Sequence, residues 1–175
     1  MNIEELKVKA ENIVENIKDK GIYLKENTFI DYKLELKLSP NVSNVLIFLR
    51  NFAKDILAFA NKDGGLLLLG FNENKETGEI TDIGLKEDDI NILRAIDLKD
   101  LSDQFVKMFD AQIVVDIHAF NIAARKFYYI LIEKHNSILI PKNDFLDYGL
   151  KKGDIIYRSA GNNLKANERT SEFNT

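Results

Sequence analysis

The amino-acid sequence predicts an α+β domain in which a mixed β-sheet is flanked by two or three helices. Two stretches, 4–20 and 44–60, place apolar residues at helical spacing. A continuous apolar run over 66–71 has the length of one buried strand. Two further runs, 112–120 and 126–133, are rich in β-branched and aromatic residues, as strands are. Strands mixed with a few packing helices are typical of an α+β or mixed α/β domain.

Composition excludes several classes of protein. A chain of 175 residues with 45% hydrophobic residues is long enough for one domain with a substantial core. It has no cysteine, which excludes disulfides, Cys-based zinc sites, thiolate nucleophiles and iron–sulfur clusters. No apolar run approaches the roughly 18–20 residues of a membrane helix, and the charged start does not resemble a secretory signal. We therefore expect a cytoplasmic protein with no membrane partner.

The first elements follow from periodicity. A helix over 4–20 ends at Gly21, where the apolar spacing stops. A strand is predicted over 30–38 because polar and apolar residues alternate until Pro40 breaks the pattern. Its polar face carries Asp31, Lys33, Glu35 and Lys37.

The middle of the chain predicts a compact corner. The helix over 44–60 is followed by an Asn/Gly loop over 61–65, the buried strand, a turn over 72–78 and a returning strand over 79–83. The glycines of this corner allow positive φ or a close approach of two backbones. A packing role explains them, and so does a ligand site at the carboxyl end of the central strand.

The second half of the sequence has the pattern of a helix followed by several strands. Residues 86–109 indicate a long helix with a break near Asp97. The two β-branched runs predict a hairpin that turns around 122–125. After an irregular stretch, a short strand over 154–158 is followed by a loop of small and polar residues.

Charge is unevenly distributed. The formal net charge is -4, which excludes a polybasic protein but leaves room for a local basic groove. The segment 72–110 carries eleven acidic and five basic residues and holds the surplus acid. This segment is a candidate surface for a partner protein.

Three carboxylates are candidate metal ligands. Asp31 and Glu35 lie on the charged strand face, and Glu73 follows the central strand. Carboxylate oxygens are the ligands that Mg²⁺ and Mn²⁺ prefer, and a metal-activated water hydrolyses phosphoesters. In that interpretation Glu35, Glu73 and Lys37 are catalytic, with Lys37 holding the scissile phosphate. A solvated strand face explains the same alternation of charges.

Six basic residues are candidate phosphate contacts. Two lie four residues apart on a helix, two lie at the hairpin turn, and two flank the last loop, whose backbone N–H groups also suit a phosphate. Each is also explained as a solvated charge. The six residues are Arg50, Lys54, Arg125, Lys126, Arg158 and Lys165.

Three blocks of sequence together resemble the Schlafen-type AlbA domain. They are Leu34-Glu35-Leu36-Lys37, then Ala58-Phe59-Ala60-Asn61 with Gly64, Gly65 and Gly70, then Tyr157-Arg158-Ser159-Ala160-Gly161-Asn162. Their order and spacing match the family over 28–168. The resemblance implies a single domain there, preceded by an N-terminal helical extension over 1–27 and followed by a mobile tail over 169–175.

The resemblance implies an association with nucleic acids. Its animal members include tRNA and rRNA endonucleases that hold a divalent metal with two Glu of a Glu-x-x-x-x-Glu-x-Lys stretch and an Asp after the Gly-Gly strand. By resemblance Glu35 matches the second Glu, the first falls at Ile30, and the Asp falls at Asn72 or Glu73. Two such domains form the cleft of the animal nucleases, which makes a homodimer plausible.

Three hypotheses of function follow. The first is a nucleic-acid-binding domain, for RNA or DNA, with a regulatory or defence role. The second is a Mg²⁺- or Mn²⁺-dependent ribonuclease acting on structured RNA such as tRNA. The third is a protein–protein or oligomerisation module of a larger regulator.

Overall fold

A computed structural model describes residues 1–166, and the predicted tail over 169–175 lies outside them. The helices of this part of the chain are α1 (Ile3–Lys20), α2 (Asn44–Ala60), α3 (Glu87–Arg94) and α4 (Leu98–Phe109), with a 3-10 turn at Leu146–Tyr148. Its strands are β1 (Ile30–Lys33), β2 (Gly65–Leu69), β3 (Phe71–Glu73), β4 (Ile80–Asp82), β5 (Val115–Ile122), β6 (Arg125–Ile132), β7 (Ile156–Ser159) and β8 (Asn162–Lys165). No helix within residues 1–166 combines the length and apolar character needed to cross a bilayer.

The main sheet is mixed, as predicted. Its order is β1-β2-β6-β5, with β1 parallel to β2 and β6 antiparallel to both of its neighbours. Two hairpins, β3–β4 and β7–β8, form separate two-stranded sheets. The α+β class is confirmed.

Helices cover both faces of this sheet. The side chains of Leu66 and Leu68 in β2 join a core cluster with the apolar stripe of α1. Those of Leu67 and Leu69 join a second cluster with α2, α3 and α4. All four leucines have no exposed surface, which is why this strand is apolar on both sides.

The strand predicted over 30–38 is shorter in the structure, because β1 ends at Lys33. Beyond it the backbone pairs with a helix side chain. The side chain of Asn51 in α2 accepts a hydrogen bond from the Lys37 N–H at 2.8 Å and donates to the Lys37 carbonyl at 3.0 Å. Leu36 turns into the core, and the shared face of Asp31 and Glu35 is lost.

Two other boundaries also have clear causes. The predicted break near Asp97 is confirmed, because the Asp97 carboxylate caps α4 by accepting from the Lys99 N–H at 2.8 Å. The loop predicted after the last strand is wrong. Ala160 and Gly161 form a tight turn with φ of 46° and 88°, and the chain returns as β8.

The corner between α2 and β2 is fixed by packing. A Cβ on Gly65 would lie 2.3 Å from the Phe59 ring, and Gly70 has a φ of 106° with the Phe127 ring 2.7 Å from where its Cβ would be. Asn61 donates to two carbonyls, at 2.9 Å each, and accepts from a backbone N–H at 2.7 Å; its partners lie at Leu139 and Ile156. The Ala-Phe-Ala-Asn and Gly-Gly block therefore ties β2 and β7 together.

Candidate functional site

Four acidic side chains converge at the end of β1. Glu26 precedes this strand, Asp31 lies in it, Asp55 projects from α2 and Glu73 ends β3. They line a cavity of about 400 Å³, which we call the carboxylate pocket. Asp31 and Leu67 are paired across parallel strands and so share the sheet face that α2 covers, which is why Asp31 meets Asp55.

Lys33 neutralises the inner part of the carboxylate pocket. Its Nζ lies 3.3 Å from Asp31 and 3.4 Å from Asp55. Asn163 of β8 adds a hydrogen bond of 2.7 Å to Asp55. Burial raises the pKa of Asp55, and the charge of Lys33 acts against that rise.

Lys75 neutralises the outer part. Its Nζ lies 2.8 Å from Glu73 and 3.3 Å from Glu26. Burial, together with hydrogen bonds to Asp31 and Glu73, raises the pKa of Glu26 to about 9. Burial also acts to raise the pKa of Asp31, but the hydrogen bond from Glu26 and the charges of Lys33 and Arg158 outweigh it, and this pKa falls. The raised pKa favours a proton on Glu26 at neutral pH, and this proton is available for the hydrogen bonds to Asp31 and Glu73.

Arg158 closes the floor of the pocket. It is 1% exposed, and its guanidinium lies 3.4 Å from Glu26 and 3.7 Å from Asp31. It also stacks over the Phe59 ring at 5.0 Å. Its remaining hydrogen bonds go to the Asn27 and Ile30 carbonyls and to Asn163. The prediction that Arg158 contacts phosphate does not fit this buried position, because its donors already have acceptors within the protein.

The carboxylate pocket as arranged does not fit a bound divalent ion. With Glu26 protonated, three carboxylates face three cations, so the local charge is balanced. Within residues 1–166, no group of three or more His, Asp or Glu side chains is placed to hold a metal. The ligand distances of about 2.0–2.6 Å that Mg²⁺ and Ca²⁺ require are not available while lysines occupy the carboxylates.

The structure brings together only part of the predicted metal set. Asp31 and Glu73 meet in the carboxylate pocket, whereas Glu35 lies outside it and pairs with Lys86 at 3.0 Å. Lys37, the predicted phosphate holder, is exposed beside α2. Glu35 and Lys37 leave the site because β1 ends at Lys33.

Sequence reasoning predicted Asp31 but missed Glu26, Lys33, Asp55 and Lys75 among the residues that converge. Glu26, Asp31 and Lys33 follow the Glu-x-x-x-x-Glu-x-Lys spacing with Asp in the second place, four residues before the register chosen above. That signal was present in the sequence. Asp55 had no such signal, because a single acidic residue in an apolar helix does not reveal what it faces.

A second cavity adjoins the carboxylate pocket. It is a groove of about 830 Å³ whose basic lining is Lys86, Arg94, Arg125 and Lys126, and we call it the basic groove. Glu35, Glu87 and Asp89 also line it. Leu34 lines both cavities, so the two lie next to each other at this residue.

The cations of the basic groove differ in how firmly they are held. Arg125 lies 3.0 Å from Asp82 and also donates to its carbonyl. Lys86 pairs with Glu35. Within residues 1–166, neither Arg94 nor Lys126 has an ion-pair partner, so both can meet an incoming anion.

The other predicted phosphate contacts lie outside the groove. Arg50 pairs with Asp147 at 3.4 Å, and Lys54 is exposed on α2. Lys165 pairs with Asp154 at 3.3 Å. Of the six predicted cations, Arg125 and Lys126 line the basic groove together, and Arg158 lies in the carboxylate pocket with Lys33 and Lys75.

Comparison with known proteins gives a family and a fold. The Schlafen AlbA_2 family matches residues 26–167. The DIP2311 protein of Corynebacterium diphtheriae has a similar structure, with a TM-score of 0.54 and 20% identity over 93% of this chain. The N-terminal domain of an ATP-dependent DNA helicase RecG-related protein from Nitrosomonas europaea gives a TM-score of 0.48 and 19% identity, covering 92% of each chain.

The chain spans about 30% of the length of DIP2311. No curated protein matches it significantly. The family match begins at Glu26, the first acidic residue of the carboxylate pocket, and runs past β8. Because this match covers well over half of the sequence, the chain belongs to the Schlafen AlbA_2 family, a nucleic-acid-related family.

Proposed function

We propose that this protein binds nucleic acid, RNA or DNA, in the basic groove. The observation that carries the proposal is the convergence of Lys86, Arg94, Arg125 and Lys126 on one open groove. Family membership supports the same class of ligand. Basic side chains bind phosphates mainly by releasing condensed counterions, so binding is expected to weaken steeply with salt.

The global charge of -4 does not oppose local binding. The acidic residues Glu87 and Asp89 also line the groove, so we expect moderate affinity and strong salt dependence. Unpartnered Arg94 and Lys126 would meet phosphates first, because a ligand need not break an existing ion pair to reach them.

Polarisation with labelled tRNA, single strands and duplexes over a salt series tests this proposal. Lys126→Glu should weaken binding and reduce the slope of log K against log salt by about 0.7–0.9 or more, as for one lost phosphate contact. Lys54→Glu makes the same charge change on α2, outside the groove, and should bind like the native chain. Equal losses in both variants, or no binding at low salt, would contradict the proposal.

A second candidate function is cleavage of structured RNA. It is favoured by the convergence of Glu26, Asp31, Lys33 and Glu73, which combines the spacing expected of the family with one shared cavity. A Mg²⁺ or Mn²⁺ ion would have to displace the lysines that now neutralise these carboxylates.

Two matched carboxylate variants test this second candidate. Asp31→Asn should abolish Mn²⁺-dependent cleavage of tRNA, and Glu35→Gln, which changes a residue of the basic groove, should leave it intact. If Glu35→Gln abolishes cleavage and Asp31→Asn does not, then Glu35 is the metal ligand, as the original alignment of the motif predicted. Absence of cleavage by the native chain would exclude this second function. A regulatory or defence role, a cytoplasmic location, a homodimer and a role as a partner-binding module stay predictions.

A further inference from the structure

The carboxylate of Asp89 is buried at the basic groove and has one oxygen without a hydrogen-bond partner. Asp89 lies in the first turn of α3, is 2% exposed and lines the groove. The backbone of Leu36 hydrogen-bonds this carboxylate, but within residues 1–166 its buried Oδ2 atom has no partner. Buried polar atoms of folded proteins nearly always have a partner, so Oδ2 calls for a group that enters the groove.

The missing partner of Asp89 has to be a hydrogen-bond donor, because an ionised carboxylate can only accept. Burial raises the pKa of Asp89, and the hydrogen bond from the Leu36 backbone acts against that rise. The ammonium of Lys86 does not supply the missing bond, since it pairs with Glu35 at 3.0 Å. An N–H group of a ligand would satisfy Oδ2 and stabilise the charged form of Asp89.

The rest of the groove offers two other kinds of contact. Leu34 and Ile83 also line it, and they are 38% and 50% exposed, so they present apolar surface to a ligand. Arg94 and Lys126 line it without ion-pair partners within residues 1–166. A buried acceptor, an apolar wall and free cations match the three parts of a nucleotide: the polar edge of the base, its flat face and the phosphate.

We propose that Asp89 reads a base of single-stranded nucleic acid in the basic groove, where Oδ2 accepts a hydrogen bond from the exocyclic amino group of cytosine or another amino-bearing base. The face of that base packs on Leu34 and Ile83, and Arg94 and Lys126 hold the neighbouring phosphates. This inference rests on the nucleic-acid binding proposed for the groove and specifies its ligand. A single strand is required because Asp89 is recessed, so a base has to leave its stack to reach it.

Binding of oligocytidine and oligouridine RNA of equal length, measured by polarisation, tests the proposal. Cytosine presents an amino donor where uracil presents a carbonyl acceptor, and a carboxylate accepts only from the former. Asp89→Asn is nearly isosteric: its oxygen can keep the hydrogen bond from Leu36, and its amide nitrogen then replaces Oδ2 with a donor. Asp88→Asn makes the same charge change at an exposed residue next to Asp89 that does not line the groove.

The native chain and Asp88→Asn should bind oligocytidine about five-fold more tightly than oligouridine or a duplex of the same length. Asp89→Asn should lose or reverse the preference between the two RNAs. The ratio of the two affinities is the measurement, because removing a negative charge by itself tightens the binding of both RNAs.

Three results would overturn the role of Asp89. Salt-dependent binding of both RNAs with equal affinity by the native chain would leave the groove as a phosphate-binding surface without base reading. A native preference in Asp89→Asn would place base reading elsewhere, and a duplex bound as tightly as oligocytidine would contradict the need for a single strand. Absence of binding to any nucleic acid at low salt would overturn the proposed function together with this inference.

Discussion

The carboxylate pocket and the basic groove share Leu34 but manage charge in opposite ways. In the pocket, each cation is bound to carboxylates, and Arg158 is almost completely buried. In the groove, Arg94 is exposed and, within residues 1–166, without an ion-pair partner. Buried pairs are costly to break, whereas exposed cations can exchange water for phosphate at little cost. We therefore expect the pocket to stabilise the fold, and we propose the groove as the surface that meets a ligand.

The largest loss of stability is expected from removing the buried guanidinium of Arg158. Arg158→Met should lower the free energy of unfolding by about 3–5 kcal/mol, because Glu26 and Asp31 would then lack a buried partner. Lys165→Met removes a cation whose side chain is 57% exposed and should cost less than about 1 kcal/mol. Urea unfolding followed by circular dichroism measures both. Similar losses for the two variants would show that Arg158 is not the structural centre of the pocket.

A smaller effect is expected from the proton on Glu26. Its pKa rises from an ordinary value of 4.5 to about 9, so between these pH values the folded protein holds a proton that the unfolded chain has released. The stabilisation that this proton gives the folded state is therefore fully present below about pH 4.5. It decreases as pH rises towards 9, by at most about 1.4 kcal/mol per pH unit. Glu26→Gln should flatten that decline.

Urea midpoints measured from pH 5 to pH 9 test the Glu26 assignment. Glu76→Gln is the matched control, since Glu76 is exposed on the β3–β4 turn and should keep the native slope. A slope in Glu26→Gln as steep as in the native chain would place the proton on another group of the pocket.

The fold was predictable where burial leaves a local pattern. The apolar run that became β2, the hairpin of β5 and β6, and the break at Asp97 all follow from residues close in sequence. The early end of β1 does not, because it depends on Asn51 of α2 pairing with the backbone of Lys37. The regular alternation of charges continued past the point where this tertiary contact replaced the strand.

The site was predictable only in part for a similar reason. The meeting of Asp31 and Glu73 follows from strands that end at the same edge of the molecule. The burial of Arg158 could not be inferred, since its hydrogen-bond partners at Glu26, Asn27 and Ile30 lie 128 to 132 residues away. A charged residue is normally exposed, and only the assembled set of acceptors makes this one an exception.

The smallest expected effect is an increase in affinity at the groove. Glu35 forms an ion pair with Lys86, and both side chains are at least half exposed. Glu35→Gln should leave the urea midpoint unchanged, while Lys86 becomes free for phosphate and one negative charge leaves the groove. Nucleic acid should then bind a few-fold more tightly at low salt, with a steeper salt dependence.

Asp31→Asn removes the same charge inside the carboxylate pocket, where Lys33 and Arg158 are held by other partners, and should leave the salt slope unchanged. If instead Asp31→Asn tightens binding and Glu35→Gln does not, then phosphates contact the pocket, and the division of roles between the two cavities is wrong.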